Sequence, residues 1–174
     1  MRIGWIGAIG GAAMLAACSS GGTSSVAAPP VATTNVAALT AVAFVEQAAS
    51  AALFAIEAAK IAEARSADAD VRRLAAMQRE AGEAIGSQLS YAGPRVNAVP
   101  RNTLTPVHEA MLTDLRTTAE FDAAYLAQQK DFVRSMRAFH RDYAVRGGSA
   151  TLRPVAEYGA GKLDEQLEAI DRAD

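Results

Sequence analysis

Few side chains in this sequence have the types and spacing that metal binding requires. The only two histidines are His108 and His140. A di-iron site in a helical bundle uses inward glutamates and Glu-x-x-His pairs, because hard cations need several anionic oxygens together with imidazole. Neither histidine has an acidic residue three positions before it. We therefore predict no metal site and no cofactor, and we expect both histidines at the surface or at an interface, unable to converge.

The sequence supports nucleophilic and general-acid catalysis no better than it supports metal binding. No serine lies in a Gly-x-Ser-x-Gly motif, which would indicate an exposed nucleophile at a strand-to-helix turn. Two acidic pairs have helical spacing, Glu80 with Glu83 and Asp164 with Glu168, and pairs of this kind usually face solvent. The sequence predicts no catalytic residue and no enzymatic activity.

Charge excludes one class of partner. The formal net charge is −2, and no basic run is present of the kind that would neutralise phosphates. Nucleic-acid binding is therefore not expected. Arg72, Arg73 and Arg79 could bind an anionic partner, but we expect them to form surface ion pairs with nearby acids.

Cys18 is the only cysteine, so no disulfide can form within the chain. One positive charge, Arg2, precedes an uncharged run from Ile3 to Ala17, which is shorter than the ~20 residues that span a bilayer. The run ends in Leu15-Ala16-Ala17-Cys18, which resembles the lipobox of bacterial lipoproteins. This resemblance implies a signal peptide over residues 1–17 and acylation of Cys18 with palmitate-type chains. Ordinary signal cleavage near Ala28, giving a soluble product, is the alternative.

Two acyl chains, at ~0.8 kcal/mol per buried methylene, would hold the mature protein stably on a membrane. In Gram-negative lipoproteins an Asp directly after the cysteine retains the protein in the inner membrane. Ser19 stands there, so the resemblance implies anchoring in the inner leaflet of the outer membrane, facing the periplasm. Residues 18–39 are rich in Ser, Gly, Thr and Pro and are predicted to form a flexible tether.

Residues 40–174 are predicted to form one all-α bundle. An alanine-rich chain favours helix because alanine loses no rotamer freedom there. Hydrophobic periodicity predicts helices over 40–65, 69–90, 106–115 and 118–145, and a last helix from 151 or 152. Asp68, Thr105 and Thr118 are the expected N-terminal caps. Gly93-Pro94 and Gly147-Gly148 should end helices, and Pro154 should lie in a first turn.

Two helices carry clear apolar faces. The first is predicted to bury Val45, Ala49, Ala52, Ile56 and Ala59, with Val42, Leu53 and Ile61 widening the face. The fourth carries an aromatic-rich face, Phe121, Tyr125, Phe132, Met136, Phe139 and Tyr143, predicted as core rather than as the lining of a lipid pocket. Gly82 and Gly86 are expected to allow close helix packing.

The order of these segments resembles an exported family known as domain of unknown function 4142. The matching stretches are Phe44-Val45-Glu46-Gln47-Ala48-Ala49, Ile56-Glu57 with Lys60-Ile61-Ala62, Phe121-Asp122-Ala123-Ala124-Tyr125-Leu126 and the final helix around Leu163 and Leu167. The resemblance implies a ferritin-like four-helix bundle with a short extra crossover helix, without a settled activity.

This sequence departs from the family pattern at four positions. Family members often carry histidine where this chain has Ala81, Phe132 and Gln166, and an early glutamate of the first helix is replaced by Ala55. If those residues bind metal elsewhere in the family, this protein has lost that capacity.

Three hypotheses for function follow. The first is a non-enzymatic, membrane-anchored binding or interaction module whose partner is an envelope protein or a second copy. The second is a divergent ferritin-like protein that binds metal or acts in oxidative stress. The third is a carrier of an apolar ligand such as a lipid.

Overall fold

The structure, a computed structural model, describes residues 39–173. The predicted signal peptide, the acylation of Cys18 and all of the predicted tether except Leu39 lie outside the described residues. Within the described range every regular element is helical, which confirms the all-α prediction. The five α-helices are α1 (Ala41–Arg65), α2 (Ala69–Ala92), α3 (Pro106–Thr117), α4 (Phe121–Arg146) and α5 (Arg153–Ala173), with a short 3₁₀ segment at Gly93–Val96.

Most predicted helix ends are confirmed by their hydrogen bonds. Asp68 accepts from the backbone N–H groups of Asp70 and Val71 at the start of α2. Thr105 accepts from the N–H of His108, and Pro154 occupies the first turn of α5. The glycine at 147 ends α4, although with φ −57° rather than a left-handed conformation.

The prediction that Thr118 caps α4 is wrong. Helix α3 continues to Thr117, so Thr118 follows its last turn and donates its N–H to the carbonyl of Asp114 at 2.9 Å. Glu120 precedes α4 and makes no side-chain capping bond. The guanidinium of Arg65 instead holds this connection by donating to the carbonyl oxygens of Leu115 and Thr118.

Two helix pairs form the bundle. α1 packs most extensively on α2 and α4 on α5, while α2 and α5 join the pairs. α3 lies against α1 and α4. The N–H of Gly148 donates to the carbonyl of Leu39 at 3.2 Å, so the start of α1 and the end of α4 lie at one end of the bundle.

The buried face of α1 agrees with the predicted one only in part: Val45, Ala52 and Ala59 are buried as predicted. Phe44 and Phe54, absent from the prediction, are fully buried, whereas Val42 is exposed and Ile56 is only half-buried. Alanine at many positions makes the apolar face ambiguous, so the burial of the two large rings sets the orientation of the helix. The aromatic face of α4 is confirmed as core, with Phe139 half-buried and the other five predicted members buried.

The two glycines of α2 have different surroundings. A Cβ at Gly82 would lie 2.8 Å from the carbonyl oxygen of Ala52, so this glycine does allow α1 and α2 to approach closely. A Cβ at Gly86 would meet nothing within 4 Å. The expectation of close packing is thus confirmed at Gly82 and wrong at Gly86, which lines an open groove.

Candidate functional site at the centre of the bundle

A small cavity lies where four helices meet. Its volume is about 20 Å³, enough for one water molecule. Small side chains of α1 form one wall, and α2, α4 and α5 form the others. The lining residues are Ala48, Ala51, Ala52, Ala55, Gly82, Ile85, Phe132, Met136, His140, Leu163 and Gln166.

His140 is one of two strongly polar side chains at this cavity and is 2% exposed. Its Nδ1 lies 3.3 Å from the carbonyl oxygen of Ala156, and since a carbonyl can only accept, Nδ1 carries the proton. Burial lowers the pKa of His140 to about 4, and the hydrogen bond only partly opposes this shift. The ring is therefore neutral at pH 7, with its lone pair on Nε2.

Gln166 is the second strongly polar side chain at the cavity. Its side chain is 2% exposed, and its Oε1 has no hydrogen-bond partner among the described residues. A buried acceptor without a donor is unfavourable by about 1–3 kcal/mol. The polar groups that line the cavity are thus the Gln166 amide and the neutral His140 imidazole, and no charged side chain lines it.

The expectation that both histidines lie at the surface or an interface is wrong, because His108 is also only 3% exposed. His108 stacks on Phe54, whereas His140 contacts Phe44 and Phe139 edge-on. The two rings have different neighbours, and His108 does not line the cavity. A signal was present in the sequence: His108 shares helical spacing with Leu112 and Leu115.

Sequence reasoning also missed a buried Ser–His pair. The Oγ of Ser50 lies 2.7 Å from Nδ1 of His108 and accepts from the N–H of Thr105 at 2.8 Å. The tautomer of His108 decides which of these two atoms donates, and burial lowers the pKa of that imidazole. Ser50 is 1% exposed, so substrate cannot reach it. The pair anchors the start of α3 to α1.

A second buried polar group joins α2 to α4. The hydroxyl of Tyr125 donates to Oε1 of Gln78, and Nε2 of Gln78 donates to Oε1 of Gln129 at 3.1 Å. Burial raises the pKa of Tyr125, which keeps the phenol protonated. These side chains hydrogen-bond to one another inside the bundle. We therefore interpret the group as one that fixes the register of α2 against α4, and not as a binding site.

The four positions at which the chain departs from the family pattern lie at or beside the central cavity. Ala55, Phe132 and Gln166 line the central cavity, and Ala81 is buried beside Gly82, which also lines it. The structure thus brings three of these positions together. None of the four side chains is a carboxylate, imidazole or thiolate, and among the described residues no group of three or more His, Cys, Asp or Glu could hold a metal ion.

The charged residues considered as candidates lie on the surface. Arg73 pairs with Asp70, and Arg79 pairs with Glu63 at 3.1 Å and with Glu83 at 3.6 Å, as predicted. Arg72 differs, because it donates to the backbone carbonyls of Glu63 and Ser66. The expected solvent-facing positions are confirmed for Glu80, Glu83 and Glu168, while Asp164 is half-buried beside Arg137 and Arg141.

A groove of about 590 Å³ lies between α2 and α5 and is here called the α2–α5 groove. Met77 and Tyr158 provide apolar surface, and Tyr158 is 39% exposed. The charged lining carries both signs: Arg73, Arg79, Lys162, Glu80, Glu83 and Glu165.

α1 is the one described helix that is long and apolar enough to cross a membrane. Half of its most apolar 18-residue stretch is buried inside the bundle. Burial of this kind is what a core helix shows, so the hydropathy of α1 is weak support for a membrane span.

Comparison with known proteins gives a family and a fold. Among solved structures, the chain is similar to a DUF305 fragment from Deinococcus radiodurans, with a TM-score of 0.57 and 18% identity over 79% of this chain and 97% of that one. At this identity the likeness concerns the fold alone. No curated protein matches the sequence. The model of the domain of unknown function DUF4142 matches residues 26–172, and the chain therefore belongs to the DUF4142 family.

Proposed function

We propose that this protein is a lipid-anchored lipoprotein of the cell envelope whose ferritin-like bundle is a non-enzymatic binding module. The sequence supports the lipid anchor because the positive charge of Arg2 is followed by an uncharged run that ends in Leu15-Ala16-Ala17-Cys18. Ser19 favours the outer membrane, facing the periplasm. Two helix pairs packed side by side fit the ferritin-like arrangement.

The proposed binding role rests on the difference in volume between the cavity inside the bundle and the groove on its surface. The central cavity holds about 20 Å³, whereas sites for drug-sized ligands occupy roughly 300–1,000 Å³. The α2–α5 groove, at about 590 Å³, is within that range but lies open at the surface. Recognition is therefore assigned to the surface of the bundle rather than to an enclosed pocket.

The partner that this groove fits is a protein segment in the envelope. Met77 and Tyr158 offer an apolar strip, and Tyr is enriched in protein interfaces because it combines a large ring with a polar end. Charges of both signs around the strip favour a polar peptide surface over an anionic polymer. A second copy of this chain could present such a segment as well.

Site-specific photocrosslinking in intact cells tests this role. A photoreactive amino acid replaces Tyr158, and the matched control replaces Val107, which is 67% exposed on α3. We expect one discrete adduct from position 158 and none from position 107. An adduct of twice the protein's mass would identify a second copy as the partner, and equal adducts from both positions would contradict the proposal.

The metal-binding alternative is less well supported. Ala55, Phe132 and Gln166 offer one neutral amide, and His140 is the one imidazole in the cavity lining, whereas a di-iron site requires several carboxylates and imidazoles. Elemental analysis of the purified bundle tests it, and stoichiometric iron or manganese would overturn the non-metal proposal. The lipid-carrier alternative needs an enclosed apolar volume. Mass spectrometry of lipid that co-purifies in stoichiometric amount would support it against the binding module.

A further inference from the structure

The bundle end that contains Leu39 gathers most of the exposed large apolar side chains. We call residues 39–42, 91–99 and 144–153 the Leu39 end. Gly148 bonds to Leu39, while Ala92, Ala98 and Leu152 share a core cluster with Phe44. Among the described residues, six large hydrophobic side chains are exposed, and four of them lie at this end: Val42 at 47%, Tyr91 at 67%, Val99 at 65% and Val145 at 76%.

The same end is basic. No acidic residue occurs from 39 to 45, from 84 to 108 or from 143 to 156. Arg95, Arg146 and Arg153 lie in these segments at the Leu39 end. Asp142, which pairs with Arg146, stands at the border, and Glu46 and Glu157 lie about a turn further along α1 and α5.

Tyr91 and Arg95 show how apolar and basic groups combine here. The guanidinium of Arg95 lies over the Tyr91 ring, 3.6 Å from its centroid, and donates to the Tyr91 carbonyl. Tyrosine and arginine are the side chains that suit a lipid–water boundary, because each pairs an apolar body with a polar end.

We propose that the Leu39 end is a docking surface for an anionic phospholipid membrane. Apolar side chains would enter the headgroup region while the three arginines meet lipid phosphates. This inference rests on the proposed anchoring, since the chain leads from Leu39 toward Cys18. The tether would raise the effective concentration of lipid at this surface, so a weak contact suffices to orient the bundle. The α2–α5 groove, on the flank of the bundle, then remains accessible.

Vesicle co-sedimentation with a chain of residues 19–174 tests the surface without the acyl chains. Both core clusters lie within residues 39–172, so this chain keeps every residue of the described core. The probes are vesicles of phosphatidylethanolamine with phosphatidylglycerol, and vesicles of phosphatidylcholine alone. We expect at least about fivefold stronger binding to the anionic vesicles, weakening as ionic strength rises.

Two sets of variants locate the contact. One variant removes apolar surface by combining Val42→Ser, Val99→Ser and Val145→Ser. The other removes charge by combining Arg95→Gln and Arg146→Gln. Each variant should lower vesicle binding at least about fivefold. Controls are Val107→Ser, and Arg116→Gln with Arg134→Gln, whose exposed side chains lie elsewhere and should leave binding unchanged. Circular dichroism verifies that every variant is folded.

Any of four results would overturn the proposal: equal binding to both vesicle types, no binding to either, sedimentation of the protein without vesicles, or equal losses of binding in the control variants. These outcomes leave the acylation of Cys18 untouched, because the assayed chain lacks that residue. Conversely, an unmodified Cys18 in cells would not alter the vesicle result.

Discussion

The imidazole of His140 lies directly against the backbone of Gly159. A Cβ on residue 159 would collide with Nδ1 and Cε1 of the ring, so only glycine allows α4 and α5 to approach this closely. The same approach places Nδ1 at 3.3 Å from the carbonyl of Ala156 and so fixes the protonated nitrogen of the ring. A glycine on one helix thereby determines the chemistry of a histidine on the other.

The first prediction concerns this contact. Gly159→Ala should lower the free energy of unfolding by about 1–3 kcal/mol, because overpacking forces the ring or the helix to shift. The matched control is Gly161→Ala in the same helix, where a Cβ meets nothing within 4 Å. It should raise stability by roughly 0.5–1 kcal/mol through helix propensity. Urea denaturation measures both, and equal effects would contradict the described contact.

A parallel pair of glycines tests the packing of α1 on α2. Gly82→Ala should destabilise the protein by about 1–3 kcal/mol, because the new methyl group would lie 2.8 Å from the carbonyl oxygen of Ala52. Gly86→Ala faces the open groove and should stabilise by roughly 0.5–1 kcal/mol. Thermal unfolding of both variants gives the comparison, and a stable Gly82→Ala protein would show that the helices are further apart.

The third prediction is a dependence of stability on pH. The pKa of His140 is about 4 in the folded protein and 6.5 in its unperturbed state, so between these values the unfolded chain binds the extra proton. The free energy of unfolding is therefore highest, as far as His140 determines it, above pH 6.5. It falls by about 3 kcal/mol as the pH is lowered from 6.5 toward 4. Burial lowers the pKa of His108 as well and acts in the same direction.

Urea unfolding at pH 7 and pH 4.5 measures this dependence. His140→Leu removes the titrating ring and should show a smaller loss of stability between the two pH values than the unsubstituted protein. If the two proteins lose stability equally, His140 is not buried in its neutral form.

The Ser50–His108 pair supplies the fourth prediction. Ser50→Ala removes the acceptor for the Thr105 N–H and the partner of Nδ1, and should cost about 1–3 kcal/mol. Ser90→Ala is the control, because the exposed Ser90 hydroxyl bonds only to the Gly86 carbonyl, and its loss should change stability by less than about 0.5 kcal/mol. A neutral Ser50→Ala would show that α3 is held by its apolar contacts alone.

Sequence periodicity predicts the five helices and most of their ends, because capping residues and helix-ending glycines act locally. It does not predict which face of α1 is buried, since a helix made largely of alanine offers similar apolar surface on several sides. The burial of Phe44 and Phe54 depends on the rings of α4 and α3 that surround them.

The candidate site is less predictable than the fold. His140 lies in the core because Gly159, on the neighbouring helix, leaves space for its ring, and no local pattern links the two residues. Ser50 and His108 are 58 positions apart and meet only when α3 folds against α1. By contrast, the departures at Ala55, Phe132 and Gln166 are visible in the sequence, and folding reveals that they share one cavity.

Whether Cys18 is acylated can be measured by intact mass spectrometry of the full-length protein after detergent extraction from cell membranes. We expect a chain that begins at Cys18 and carries a diacylglyceryl group with a further acyl chain, and we expect Cys18→Ala to abolish this species. A mature chain that begins elsewhere, or one that retains a free Cys18 thiol and leaves the cell in soluble form, would overturn the proposed lipid anchor.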